Sequence, residues 1–357
     1  MICHQLRNLI RTTVLCCLNL PAGGVMVVRL LPWQPEYGSG LTFDTEDEPD
    51  ASAPVDLTVE RLIWAPVTPE PGPPTPVQIV DGVRRADAHA LDDGADGAPV
   101  FGLFGSFAVG AVRCDGVARI PEDRIRVERR YLHSGESMPD RTISSGAAVV
   151  TFTSQRVSKG TNAQSLVAAL NRDMLDAEAH LAADLSRDES VLTLVDGPLR
   201  SLRSPGRRVV GYIKRIQQWY VGSAERDLLP TLQPGERTPI FLIPPGTGIE
   251  EQHNDGRYSW FLPLRRLGVP YHPLGGVMRL ETSGALPIAE AIALADETAR
   301  LLPGLSSMPG KDPRAPHNLV PVGALETVLT HRLGDRHWIQ RMLTAHIGRE
   351  ARDTVYA

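Results

Sequence analysis

Two short apolar runs in this chain end in the same words, VQIVDGVRR at 77–85 and TLVDGPLR at 193–200. Each reads as a β-strand closing on an aspartate, with a glycine that lets the backbone turn away and an arginine a few residues on. An Asp-Gly pair after a strand is first of all a turn, because Asp caps its own backbone and Gly accepts positive φ. What lifts the pair above a turn is the segment before the second copy. NAQSLVAALNRDMLDAEAHLAADL, 162–185, has the period of a helix and is opened by Thr161 or Asn162 as its cap. Leu166, Leu170, Met174, Leu181 and Leu185 trace a buried stripe, and the missing member of the series is Glu178. A carboxylate set in an apolar face needs a cation, a hydrogen-bond donor or a metal, unless it reaches out from the edge of the stripe to solvent or to an arginine.

The rest of the chain reads as α/β. Before the helix come VFGLFGSFAVGAVRC, RIRVERRYL and AAVVTFTSQRV, all strand-like, the first preceded by a polar loop, ADAHALDDGADGAP. After it come VLTLVD, VVGYIKRI, PIFLIP, YSWFLPL and GVMRLE as strands, then helices at about 287–302, 320–333 and 336–347. No repeat of fixed period is present, which excludes solenoids and propellers. Residues 1–25 read as a flexible extension ahead of a start near Met26, since Arg11 and Asn19 spoil a signal-peptide core. Residues 26–76 hold the acidic DTEDEPD and the proline-rich APVTPEPGPPTP, which leaves 77–335 as the catalytic core and 336–357 as a C-terminal helix and tail. With 357 residues, 42% of them hydrophobic, the chain can bury a full core, and its net charge of −5 argues against a general nucleic-acid coat while allowing a local basic groove. Four cysteines, at 3, 16, 17 and 114, match neither a zinc site nor a disulfide scaffold, so a reducing, cytoplasmic setting is expected. No apolar run is long enough to span a membrane.

Taken together, Asp81 and Asp196 at strand ends and Glu178 facing inward make an oxygen-rich constellation that suits Mg²⁺ or Mn²⁺. Two such ions could hold a phosphodiester, one activating water and the other stabilising the leaving oxygen. Arg84, Arg85 and Arg200, with Arg203, Arg207 and Arg208 in the loop that follows, could meet DNA phosphates. Trp219, Tyr220, Tyr258 and Trp260 are expected in the core rather than stacking on bases.

At this point the residues resemble the NurA nuclease family: VDG after a first strand, a helical glutamate before the second VDG, GYIKR at 211–215 and PHNLVPVGALE at 316–326. The resemblance implies an RNase H-like mixed β-sheet core flanked by helices, here with N-terminal and C-terminal additions. It also implies a divalent metal, usually Mn²⁺, cleavage of DNA, and a homodimer working with a HerA-type hexameric ATPase in end processing or anti-phage defence. Carried over residue by residue, Asp81, Glu178 and Asp196 become the metal ligands and Lys214 a phosphate or carboxylate partner. Many relatives place a tyrosine and then a histidine in the last motif; here His317 and Glu326 are the candidates for a fourth ligand or a proton-handling group. Val83 and Pro198 stand where a DGS form would carry serine. Two other readings remain: a catalytically silent adaptor that dimerises and docks on the ATPase, and a nucleotide phosphotransferase, which the lack of a GxxxxGK loop disfavours.

Overall fold

The computed structural model describes residues 55–93, 99–135, 138–146, 148–158, 162–199, 206–216, 218–245 and 256–355. In chain order they form β1 (Val77–Asp93), β2 (Pro99–Asp115), β3 (Val117–Arg119), β4 (Arg126–His133), β5 (Arg141–Ser145), β6 (Ala148–Arg156), α1 (Ala163–Leu185), β7 (Leu192–Asp196) and β8 (Val209–Ile213). There follow α2 (Ser223–Arg226), β9 (Phe241–Ile243), β10 (Arg257–Pro263), β11 (Val277–Ser283), α3 (Ile288–Leu305), α4 (Val320–Arg332) and α5 (Arg336–Val355). The strands make one mixed sheet in the order β5-β6-β4-β2-β1-β7-β8-β11-β10-β9, with β3 on β2. Its centre is parallel: β1 pairs with β7 from Val77↔Leu192 to Val80↔Val195, and β7 with β8 from Thr193↔Val209 to Asp196↔Tyr212.

Helices cover both faces of that centre, as a parallel sheet requires. On one face α1 lays Leu166, Leu170 and Leu181 against Val80, Val109, Val195 and Val209. Each such leucine contributes roughly 1.5–3 kcal/mol. Asn162 caps the helix, its side chain accepting from the Ser165 amide at 2.9 Å. On the other face α3 and α4 bury Leu294, Leu302, Leu325 and Leu329 over Ile79, Leu194, Tyr212 and Leu280.

Several expectations need correction. The first VDG is not at a strand end: β1 continues through the supposed loop ADAHALDD to Asp93, in register with β2 as far as Asp93↔Pro99. The polar composition hid a half-buried alternation in which Ala86, Ala88 and Ala90 pack inward. A bulge between Ala86 and Ala88 leaves Asp87 as the extra residue, buried and bonded to Arg85 and Ser106. RTISS, passed over in the sequence, is edge strand β5.

Segment 55–67 is extended, bridging at Asp56↔Leu242 and Val67↔Arg237. Its Glu60 accepts from Arg237 at 2.8 and 2.9 Å and from the Ile240 amide at 2.7 Å. α5 sets Ile339, Met342 and Leu343 against Phe104, Tyr131 and Phe152, so the C-terminal helix shares the core. Tyr220 and Trp260 are buried, as expected. The extension 1–25 and the DTEDEPD run lie outside the described residues. Among those described, no helix is long and apolar enough to cross a membrane.

Candidate functional site

The parallel ladder between β1 and β7 stops at Val80↔Val195, and the next residue on each strand is an aspartate. Side chains alternate along a strand, so Asp81 shares the face of Ile79, and Asp196 the face of Leu194. Neighbouring strands lie about 4.8 Å apart, which sets the two carboxylates side by side. One strand further, Asp196 is in register with Tyr212, and Lys214 is the next residue on that face. Its Nζ donates to Asp196 Oδ2 at 2.6 Å.

Glu178 arrives from the opposite face. It is buried in the α1 stripe and passes over Gly82, where a Cβ would lie only 2.4 Å from Glu178 Oε1. Gly82 thus makes room for a carboxylate. Gly197 serves differently: its φ of +90° turns the chain off β7 while its amide donates to the Tyr212 carbonyl at 3.0 Å.

Charge accumulates here faster than it is balanced. Burial pushes the Asp81 carboxyl well above the usual carboxylate range, Asp196 and Glu326 push it further, and Lys214 draws it back. Burial also raises Glu178 strongly, reinforced by Asp81 and Asp196 and opposed by Lys214. The Tyr212 phenol is raised chiefly by burial and then by Asp196. Asp81 Oδ2 and the Tyr212 hydroxyl are buried without a hydrogen-bond partner among the described residues. An orphaned carboxylate oxygen within a cluster of acids is a donor set suited to a hard divalent cation. Among the described residues no three acid, imidazole or thiol groups already stand around one point. An incoming cation would compete with Lys214 for Asp196.

The remaining expected residues divide. His317 is wholly buried, its Nε2 donating to the Val277 carbonyl at 2.8 Å. Burial pushes its pKa down to about 4, so the ring is neutral near pH 7 and ties the segment before α4 to β11. Glu326, on α4, accepts from both terminal nitrogens of Arg314. Arg84 lies on the Glu178 side of β1, half-buried, with Nε donating to Asn171 at 2.8 Å.

Arg85 was expected on phosphate and is used elsewhere. It donates to the Gly334 carbonyl at 2.8 Å and the Leu333 carbonyl at 3.2 Å, closing the C-terminus of α4, where a cation also meets the helix dipole. Arg207 and Arg208 pair with Glu290 and Glu297 on α3. They precede β8 whereas Lys214 follows it, which at 3.3 Å per residue puts Arg208 about 20 Å from the site. Arg200 and Arg203 lie outside the described residues. Sequence reasoning overlooked two residues near the carboxylates, Tyr212 and Arg314. Alternation within GYIKR could have found the first, since Tyr212 and Lys214 share a face; nothing local marks the second.

A comparison with curated proteins finds no match. Among solved structures, the NurA nuclease from Sulfolobus solfataricus is similar at 11% identity and a TM-score of 0.43, covering 80% of this chain and 88% of that one. The model of the NurA domain matches residues 115–322, more than half of the chain. Glu178, Asp196, Lys214 and His317 fall within the matched residues, and Asp81 and Glu326 fall on either side. The chain belongs to the NurA family.

Proposed function

We propose that this protein is a divalent-metal-dependent deoxyribonuclease whose site has the arrangement of an RNase H-like sheet. The observation that carries the reading is the convergence of Asp81, Asp196 and Glu178 where the parallel β1/β7 ladder ends. Family membership supports nuclease chemistry over the other uses of such a cluster. Asp81, Glu178 and Asp196 would hold the ion. Bound there, Mn²⁺ or Mg²⁺ would polarise the phosphodiester and make an attacking water more acidic.

The chain's own residues supply the rest. Gly82 admits Glu178 to the sheet surface, and Gly197 leads the chain away from Asp196. Lys214, aligned by Asp196, presents an ammonium to the phosphate. Arg84 is a further cation for the DNA strand on the α1 side. The β-sheet, α1 and α4 keep bulk water from Asp81, which strengthens every charge interaction at the site.

The family resemblance supports a homodimer that works with a HerA-type hexameric ATPase inside the cytoplasm. An adaptor without turnover is the second reading. It is favoured by one observation: Lys214 holds Asp196 and Arg314 holds Glu326, so no ready-made ligand set exists among the described residues.

Cleavage of end-labelled linear DNA by the purified protein decides between them, with Mn²⁺ or chelator and with Asp196→Ala beside the wild type. Cleavage lost in both the chelated and the mutant reactions supports the nuclease. DNA binding without cleavage, even with the ATPase added, supports the adaptor.

A further inference from the structure

Arg314 stands at the mouth of the carboxylate cluster. It lies in the segment between α3 and α4, and its two terminal nitrogens form a fork on the Glu326 carboxylate. That carboxylate is close enough to raise both Asp81 and Tyr212. The guanidinium is therefore one side chain removed from the proposed metal ligands, and it is 25% exposed.

The segment that carries it is held firmly. The Asp312 carboxylate accepts from the Arg314 amide and from Asn318 Nδ2, each at 2.7 Å. Ser306 bridges to Leu319, the Ser307 amide donates to the Asn318 carbonyl at 3.2 Å, and His317 is pinned to Val277. Ala315, His317 and Asn318 are fully buried behind the arginine. A side chain presented from such a base, and oriented by a carboxylate, loses little freedom on meeting a ligand.

A guanidinium has five N–H donors and a carboxylate fork uses two, so the group can bind an oxyanion while Glu326 still holds it. A phosphate approaching Asp81, Glu178 and Glu326 meets three negative charges, and a cation on the approach offsets that repulsion. Arg85 is spent on α4, and Arg207 and Arg208 sit at the far end of the sheet. We propose that Arg314 grips a phosphodiester oxygen of the nucleic-acid strand at the mouth of the site, with Glu326 as the positioning residue that aims it. The proposal rests on the nuclease reading for its substrate class, and its test reads binding separately from cleavage.

The experiment is fluorescence anisotropy of a labelled oligonucleotide over a salt series, with Ca²⁺ replacing Mn²⁺, for wild type, Arg314→Ala and Glu326→Gln. Arg314→Ala should bind about tenfold more weakly, and its plot of log affinity against log salt should be shallower by about one. Glu326→Gln should keep the wild-type slope, because the charge remains, while single-turnover cleavage in Mn²⁺ slows. Wild-type affinity and slope in a folded Arg314→Ala protein would overturn the proposal and leave the pair a structural tie. Should that variant fail to fold, Arg314→Gln, neutral but still able to donate to Glu326, reads the same slope. Wild type that binds but never cleaves would defeat the nuclease reading alone, and the slope would still decide Arg314.

Discussion

At the first VDG the chain runs straight on: β1 continues for a dozen residues beyond Asp81, and Gly82 stays in extended backbone with a carboxylate lying over it. At the second, the strand stops, Gly197 takes a φ of +90°, and an added Cβ there would touch nothing within 4 Å. One glycine is needed for the atom it lacks and the other for the conformation it allows. The aspartates differ as well. Asp81 is buried with an orphaned oxygen, whereas Asp196 is about a quarter exposed and holds Lys214. The same tripeptide thus supplies two unlike halves of one site, because α1 covers the first copy and β8 flanks the second.

Replacing each aspartate should break this comparison most sharply. Asp81→Asn and Asp196→Asn are each expected to lower DNA cleavage at least about a hundredfold, since even the outer partners of a metal site commonly cost that much. Their thermal melts in chelator should diverge. Asp81→Asn removes an uncompensated buried charge and should hold or raise stability, while Asp196→Asn strands the buried Lys214 ammonium and should cost about 1–2 kcal/mol. Equal melting shifts in the two variants would contradict the asymmetry.

The glycines sharpen the same contrast. Gly82→Ala should displace Glu178 and slow cleavage about tenfold or more, with Met174 and Val109 also crowded at 3.1 and 3.2 Å. Gly197→Ala should act on stability, at about 1–2 kcal/mol for an L-residue held at positive φ. Cleavage assays beside denaturant titrations separate the two.

A smaller effect concerns pH. Asp81 and Glu178 keep their protons to higher pH in the folded chain than in the unfolded one, chiefly because burial disfavours their charged forms. Between the ordinary carboxylate range and the raised values the native state binds more protons, so metal-free stability is greatest at acid pH and falls as pH rises. Melting temperatures in chelator should therefore decline from about pH 5 to about pH 8. Asp81→Asn should flatten that decline, and so should saturating Mn²⁺. A chelated protein that melts higher at alkaline pH would refute the carboxylate assignment.

The smallest expected change is at the arginine after the first VDG. Arg85→Ala should leave DNA affinity within about twofold while costing about 1–3 kcal/mol, because the α4 carbonyls and buried Asp87 lose their donor. Anisotropy and a urea titration on one preparation would test both parts.

The alternation and periodicity of the chain alone were sufficient to place Glu178 on a buried helical face, to order most of the strands around that helix, and to single out both aspartates. These signals are local: a helical stripe and a strand period are written within a dozen residues, and a glutamate that interrupts one is visible at once. Tertiary structure decided what local signals do not encode. It carried β1 through a polar stretch because β2 pairs with it, assigned Arg85 to the end of α4, and put Arg207 and Arg208 at the wrong end of a strand. It also brought Arg314 to the mouth of the site across a sequence separation no period spans. Whether a charged side chain meets solvent, a helix end or a neighbouring acid depends on which elements pack beside it, and packing is a property of the whole chain.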